Sequence, residues 1–360
     1  TAIAASLVLG IAAATWMYFR ERDARQQTAA ERDAKEVARK DAEDISKFLG
    51  DVFQSPDPTR DGREIKVVEL LDNAAKKLES GLAAQPAQRA KLQATLGRTY
   101  YSLGLYRQAI PLQEKVRDYC LTTFGLEHDD TLGVMTTLAN SYSDAGRRDE
   151  ALKLQEEVLP LSRKVLGPEH PDTLSAMTNL ANSYGDAGRL DEALKLQEEV
   201  LPLSRKVNGS EHPDVLMAMN NLARFYGGMG RKDEALKLME ELLTLRRKVN
   251  GPEDPDTLGA MTNLAISYQA AGRLDEAVKL QESSLAVKRR VLLPTHPYLA
   301  AALQNMALLY KKNGQREEAL KLQEEVLTLR RKVNGPEHPD TLGEMTTLAS
   351  FYGAAGRQEE

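Results

Sequence analysis

The stretch MTNLANSYGDAGRLDEA, residues 177–193, contains two helical patterns joined at one glycine. Before the glycine, apolar side chains such as Leu180 and Tyr184 recur at the three- and four-residue spacing of an amphipathic helix. A second apolar stripe follows the glycine and includes Ala193. Gly188 itself stands where a left-handed backbone commonly ends a helix. The stretch therefore predicts a hairpin of two helices.

The hairpin pattern returns every 42 residues along most of the chain. Residues 131–172 and 173–214 are identical at 35 of 42 positions. A fixed period in this range is typical of a solenoid, in which each unit buries its apolar face only by stacking on its neighbours. The glycine that ends the first helix keeps this spacing throughout, at Gly104, Gly146, Gly188, Gly230, Gly272, Gly314 and Gly356.

Composition and motifs exclude several classes of function. The 360 residues carry a net charge of −5 with both signs mixed, and so lack the clustered basic face of a nucleic-acid-binding protein. The one cysteine, Cys120, excludes an intrachain disulfide framework and a cysteine-based zinc site. Walker, H-E-x-x-H, G-x-S-x-G and kinase catalytic motifs are absent from the sequence. We expect no catalytic residue, metal, cofactor or nucleic-acid partner for this stretch of chain.

All five histidines fall at one phase of the repeat, within variants of the phrase GPEHPDTL (167–174). A metal site and helix capping are the two interpretations. Pro171 suits the first turn of a helix, which places His170 at the N-cap. Asp254, a standard N-cap residue, replaces the histidine once. Successive histidines would lie about 10 Å apart, which is too far for shared zinc coordination. The pattern favours capping.

The repeat resembles the tetratricopeptide repeat over about residues 89–360. Its 42-residue period and its G-x-E-H-P-D linker are similar to those of the kinesin-light-chain variety. The resemblance implies an all-α, right-handed solenoid of helix hairpins that binds a protein or peptide in a concave groove. The signature positions of this family are matched by Leu180, Ala181, Tyr184, Gly188 and Ala193.

Amide side chains recur on the first helix of the hairpin. In the tetratricopeptide family, asparagines on this helix commonly hydrogen-bond the backbone of an extended peptide. A carboxamide both donates and accepts, as a peptide unit requires. The alternative is that these side chains only cap or solvate the inner face. The candidate groove residues are Asn140, Asn179, Asn182, Asn221, Arg224, Asn263 and Asn305.

The N-terminal region predicts a membrane anchor. Residues 1–19 carry no charge, and as a helix they would be about one hydrocarbon thickness long. A signal peptide or a buried helix is the alternative. Three arginines follow at once and favour a cytoplasmic C-terminal side, but the other flank is missing, so the side on which the repeats lie stays open. The chain therefore divides into a transmembrane helix (1–19), a charged helical stalk (20–50), a linker with an amphipathic helix (51–88) and the repeat array (89–360).

Residues 1 to about 85 also resemble the segment that joins kinase to repeats in bacterial membrane-bound serine/threonine protein kinases. The residues that carry this resemblance are Phe48, Leu49, Phe53, Asp57, Pro58, Gly62, Glu69, Leu70, Leu71 and Asp72. It implies a kinase domain upstream of Thr1, with the repeats as its docking or sensing part. A stand-alone tethered scaffold or cargo adaptor, and a purely architectural array, are the alternatives. The start at Thr1 and the incomplete last repeat predict a fragment of a longer protein.

Overall fold

The computed structural model describes residues 67–81, 85–293 and 295–357, together with Glu36 and Arg39. Within these residues the only regular elements are α-helices, which confirms the predicted all-α repeat. None of the described helices is both long and apolar enough to span a membrane. The predicted transmembrane helix (1–19) lies outside the described residues and stays a prediction, as does nearly all of the stalk.

Fourteen helices occur in this part of the chain. They are α1 (Val67–Gly81), α2 (Pro86–Ser102), α3 (Tyr106–Thr123), α4 (Asp129–Asp144), α5 (Arg148–Val165), α6 (Pro171–Asp186), α7 (Leu190–Asn208), α8 (Pro213–Gly228), α9 (Lys232–Val249), α10 (Pro255–Ala270), α11 (Leu274–Val291), α12 (Pro297–Lys312), α13 (Arg316–Asn334) and α14 (Pro339–Ala355). The first repeat helix, α2, begins three residues before the boundary that the sequence suggests.

The even-numbered helices from α2 onward are the first helices of the repeats, here called A helices, and the odd-numbered ones from α3 are B helices. The chain forms two compact units, one ending at Gly146 and the other beginning at Arg147. In the first unit α3 packs on α2 and α4, and α1 packs on α2. In the second unit every helix from α5 to α14 packs on the next along the chain.

Small and flexible side chains fill the interface between A and B helices. The alanine that recurs every 42 residues on the B helix, as at Ala193 and Ala277, is fully buried and permits close packing. Met177, Met219 and Met261 of the A helices are buried as well. Each repeat therefore buries its apolar stripe against its own partner helix and the next hairpin.

Every histidine occupies the N-cap of an A helix, as the sequence predicts. The Nδ1 atom of His170 accepts a hydrogen bond from the backbone N–H of Asp172 at 3.2 Å, and the other four histidines make the same contact. Asp254 caps its helix by accepting from the N–H groups of Asp256 and Thr257. The capping interpretation is confirmed, and each A helix from α4 to α14 gains an acceptor for at least one of its orphan N–H groups.

Replacing His212 with alanine should lower the free energy of unfolding by about 1 kcal/mol, because the N–H of Asp214 loses its acceptor. His212→Asp should keep the stability of the native chain, since aspartate does the same work at position 254. Chemical denaturation followed by circular dichroism measures both. Stabilisation of the native chain by zinc would instead favour the metal interpretation and contradict this one.

Candidate functional site

The A helices of the second unit lie side by side and are joined through their polar side chains. Neighbouring A helices contact each other directly, α6 with α8 and α8 with α10. Arg224 of α8 donates from Nη2 to Oδ1 of Asn182 on α6 at 2.9 Å. Asn263 of α10 donates from Nδ2 to Oδ1 of Asn220 on α8, also at 2.9 Å. The surface formed by α6, α8, α10 and α12, here called the A-face, therefore carries a row of amide groups.

A cavity of 370 Å³ opens between α8, α9 and α10 on this face. Its polar lining consists of Asn220, Arg224, Lys232, Asn263 and Ser267. Its apolar lining consists of Ala223, Gly227, Ala235, Met239, Ile266 and Ala270. Ile266 is 56% exposed, although its side chain is apolar. We name this cavity the first cavity. Its apolar walls and few convergent polar groups are typical of a ligand site.

The charge of the first cavity is positive. Arg224 and Lys232 both line it, and none of its lining residues is acidic. The hydrogen bond between the two asparagines uses Nδ2 of Asn263 and Oδ1 of Asn220. It leaves the acceptor Oδ1 of Asn263 and the donor Nδ2 of Asn220 for another molecule. One acceptor and one donor side by side match the N–H and C=O of an extended peptide.

The other predicted residues have different surroundings. Asn179 lines an 80 Å³ cavity between α6, α7 and α8, and Asn305 lines a 120 Å³ cavity between α10, α11 and α12. Asn221 is half-buried and lines none of these three cavities. Asn140 is half-buried on α4 and belongs to the first unit. The structure thus brings Arg224 and Asn263 into one cavity and distributes the rest.

Among the residues that line the first cavity, the sequence predicts only Arg224 and Asn263; Asn220, Lys232 and Ile266 are among those that it does not predict. Asn220 stands at the phase that threonine occupies at Thr178 and Thr262, so the search for a recurring asparagine passed over it. Lys232 and Ile266 stand at phases that vary between copies, with Arg148 and Arg316 at the first and Leu308 at the second. A comparison of the copies for polar and charged exceptions on the A-face would have found Asn220.

A known repeat family matches most of the chain. The family model described as "Tetratricopeptide repeat" matches six overlapping stretches that together cover residues 88–360. The chain is a tetratricopeptide repeat protein. The matched stretches are residues 88–164, 130–206, 172–248, 214–290, 256–332 and 298–360. As a tetratricopeptide repeat protein it is a protein-interaction scaffold.

Solved structures include similar repeats. A crystal structure of nearly identical TPR-like repeats from a kinesin-light-chain-like protein of Podosopora anserina is 36% identical, with a TM-score of 0.54, over 57% of this chain and 98% of that one. BtubC (BKLC) from P. vanneervenii is 20% identical, with a TM-score of 0.51, over 69% of this chain and 94% of that one. A signal transduction ATPase with a tetratricopeptide repeat sensor from Pyrococcus horikoshii is 14% identical, with a TM-score of 0.59, over 86% of this chain and 49% of that one. The last two share the fold. No curated protein sequence matches the chain.

A tyrosine contact orients each A helix of this tetratricopeptide repeat protein. In the second unit, Tyr184 donates to the carboxylate of Glu156, on the preceding B helix, at 3.0 Å. The guanidinium of Arg189 lies 4.1 Å from the ring centroid of Tyr184 and 2.8 Å from the same carboxylate. Burial, followed by the hydrogen bond to Glu156, raises the pKa of Tyr184 above its usual value. The contact stabilises the fold while the phenol is neutral, and this contribution is lost as pH rises through the raised pKa.

The same arrangement recurs along the array, and it holds the A-face residues in place. The recurring tyrosine–glutamate pairs in the second unit are Tyr226–Glu198, Tyr268–Glu240, Tyr310–Glu282 and Tyr352–Glu324. Burial and the hydrogen bond raise the pKa of Tyr310 to about 12. Because each tyrosine lies on the side of its A helix that faces the preceding B helix, it fixes the rotation of that helix.

One cluster of possible metal ligands occurs in the described tetratricopeptide repeats. Single ligand atoms of His128, Asp129 and Asp130 lie within 4.8 Å of one another. The Nδ1 atom of His128 already accepts from the backbone N–H of Asp130 at 3.2 Å, and both aspartates are exposed. The cluster is therefore accounted for by N-capping.

Proposed function

We propose that the first cavity binds an extended segment of a partner protein. The observation that carries the proposal is the hydrogen bond between Asn220 and Asn263, which leaves a donor and an acceptor adjacent in a cationic cavity with apolar walls. These two groups receive a peptide unit of the partner. An apolar side chain of the same segment packs on Ile266 and Met239.

The energetics favour a segment over a single small polar ligand. Each peptide–asparagine hydrogen bond contributes about 0.5–1.5 kcal/mol. Burying an apolar side chain of the segment adds about 1.5–3 kcal/mol. Arg224 and Lys232 attract a segment of negative charge and raise its rate of association, more strongly at low salt. Several such contacts along the A-face together give an affinity that a single contact would not give.

The proposal is tested with peptides selected from a phage-displayed library of random 12-residue sequences on the full chain. Affinities of the selected peptides are measured by fluorescence anisotropy. Asn220→Ala with Asn263→Ala should weaken binding by at least about tenfold, because two hydrogen bonds are lost. Helicity should stay unchanged, and stability should fall by only about 0.5–1.5 kcal/mol, because one hydrogen bond between α8 and α10 is lost.

Lysines on α9 provide a matched control. Lys232→Ala should weaken binding several-fold, whereas Lys237→Ala should not, because Lys237 is exposed on the same helix and does not line the first cavity. Peptides that bind the double asparagine variant as tightly as the native chain would place the site elsewhere and sink the proposal.

We also propose that residues 1–19 anchor the array to a membrane and that the array is the non-catalytic docking part of a bacterial serine/threonine protein kinase. The support is the uncharged N-terminal stretch and the resemblance carried by residues 48–72. Kinase motifs encoded upstream of Thr1 in the same reading frame would support the link. A start codon close upstream would leave a stand-alone scaffold or cargo adaptor.

A further inference from the structure

A basic side chain on the B helix is paired with an acidic one on the next A helix in two repeats. Arg246 of α9 contacts Asp256 at 2.8 Å, and its side chain is only 15% exposed. Arg330 of α13 lies 3.7 Å from Asp340. In each pair the aspartate neutralises the positive charge of the arginine on the B helix. In these two repeats the arginine at this position is therefore already paired with an acid of the same chain.

The repeat between them keeps the cation and lacks the acid. Lys288 stands 42 residues after Arg246, and Tyr298 stands where Asp256 would recur. Nζ of Lys288 donates to Oγ1 of Thr262 at 3.2 Å, and no carboxylate of the described chain lies within ion-pair distance of it. An ammonium group has three donors, so two remain. Tyr298 is 70% exposed and does not substitute for the missing carboxylate.

A buried amide without partners lies two helical turns before this lysine, on the same side of α11. Gln281 is 2% exposed, and neither its Oε1 nor its Nε2 has a hydrogen-bond partner. The equivalent residue two repeats earlier, Gln197, donates to the backbone carbonyl of Ala218 at 3.1 Å. An unpaired buried amide costs about 1–3 kcal/mol, so a ligand that satisfies it recovers that free energy.

Gln281 lines the 120 Å³ cavity between α10, α11 and α12, which also contains Thr262 and Asn305. Thr262 joins this second cavity to the ammonium of Lys288, since it lines the cavity and accepts the lysine's hydrogen bond. Ile266 lines both this cavity and the first one. The two cavities therefore adjoin at this side chain.

We propose that the second cavity takes the side chain of an acidic residue of the bound segment, with its carboxylate accepting from Lys288 and Gln281. The inference rests on the proposed function and adds its specificity. The volume accommodates the four or five heavy atoms of an aspartate or glutamate side chain. Burial lowers the pKa of Lys288 below its usual value, and a bound carboxylate would oppose this by favouring the charged form.

The test uses the peptides selected on the native chain. They should share an aspartate or glutamate at one position, and its replacement by asparagine or glutamine should weaken binding by about tenfold or more. The same replacement should have little effect on Lys288→Met, so the double-mutant cycle measures the coupling between the two charges. Lys279→Met is the control, because Lys279 is exposed on the same helix and lines neither cavity.

Tyr298→Asp is a second, independent variant. It restores the residue of the other repeats, as in Asp172, Asp214, Asp256 and Asp340, and is therefore compatible with the fold. The new carboxylate should pair with Lys288 as Asp256 pairs with Arg246, and should weaken acidic peptides about as much as Lys288→Met does. The amide analogues should be unaffected.

The outcomes separate this inference from the proposed function. Peptides that respond to the Asn220 and Asn263 substitutions but show no acidic position coupled to Lys288 would overturn the inference and leave the groove in place. Peptides that respond to neither set of substitutions would overturn both. Coupling to Lys288 that Tyr298→Asp abolishes would establish the specificity.

Discussion

Replacing Phe225 with alanine is expected to lower the free energy of unfolding of the second unit by about 3–5 kcal/mol, the usual cost of removing a buried phenylalanine. Phe225 is 1% exposed and lies in α8 against Gly185 of α6. Its ring fills space that serine occupies in three other copies, at Ser141, Ser183 and Ser267. Removing it leaves a cavity between two adjacent A helices.

Chemical denaturation gives the overall change for Phe225→Ala, and amide hydrogen exchange shows where it acts. Because repeat arrays unfold by segments, protection should fall mainly in α6, α7 and α8. Tyr298→Ala is the matched control, as an exposed aromatic residue on another A helix, and should change stability by less than about 0.5 kcal/mol. An equal effect of both substitutions would contradict the packing argument.

Gly185→Ala is expected to destabilise the same interface by about 1–2 kcal/mol. A Cβ atom on Gly185 would lie 2.6 Å from Cε1 of Phe225, closer than real Cβ contacts. The buried ring cannot swing into solvent, so the two helices must separate slightly, at a cost of about 1–3 kcal/mol. The better helix propensity of alanine offsets about 0.5–1 kcal/mol of this.

The next copy provides the control for Gly185→Ala. Gly227 occupies the same phase, and no heavy atom lies within 4 Å of its ideal Cβ position. Gly227→Ala should therefore raise stability by about 0.5–1 kcal/mol. Combining Gly185→Ala with Phe225→Ser should cost less than the sum of the single changes, because the clash is gone. Thermal melting of the four variants measures these changes in stability. Strictly additive effects of Gly185→Ala and Phe225→Ser would contradict the contact between the two residues.

The sequence predicts the hairpins and their caps because each depends on local chemistry. Gly188 follows α6 with a φ of +77°, a conformation that favours glycine. The glycine in the sequence is therefore enough to predict the end of the helix. His170 is recognisable as an N-cap from Pro171 and Asp172 beside it. The glycine recurs in every copy and the capping residues in most of them, so their periodicity gives the fold class without any tertiary information.

Features that differ between copies are harder to predict. Phe225 and Gly185 lie 40 residues apart, and their pairing follows only from the packing of α8 on α6. Gln281 resembles Gln197 in sequence, yet only Gln197 reaches a backbone carbonyl. The sequence shows that Tyr298 replaces the aspartate of the other repeats. Its effect on Lys288 depends on the position of the lysine side chain, which only the structure gives.

The tyrosine contact has a consequence for how such a chain changes length. Each tyrosine reaches a glutamate 28 residues earlier, and each pair joins one hairpin to the one before it. Every junction thus uses the same two residue types at the same spacing, so the hairpins are interchangeable neighbours. Recombination between near-identical copies, adding or deleting 42 residues in register, would leave each surviving junction with both halves of its contact.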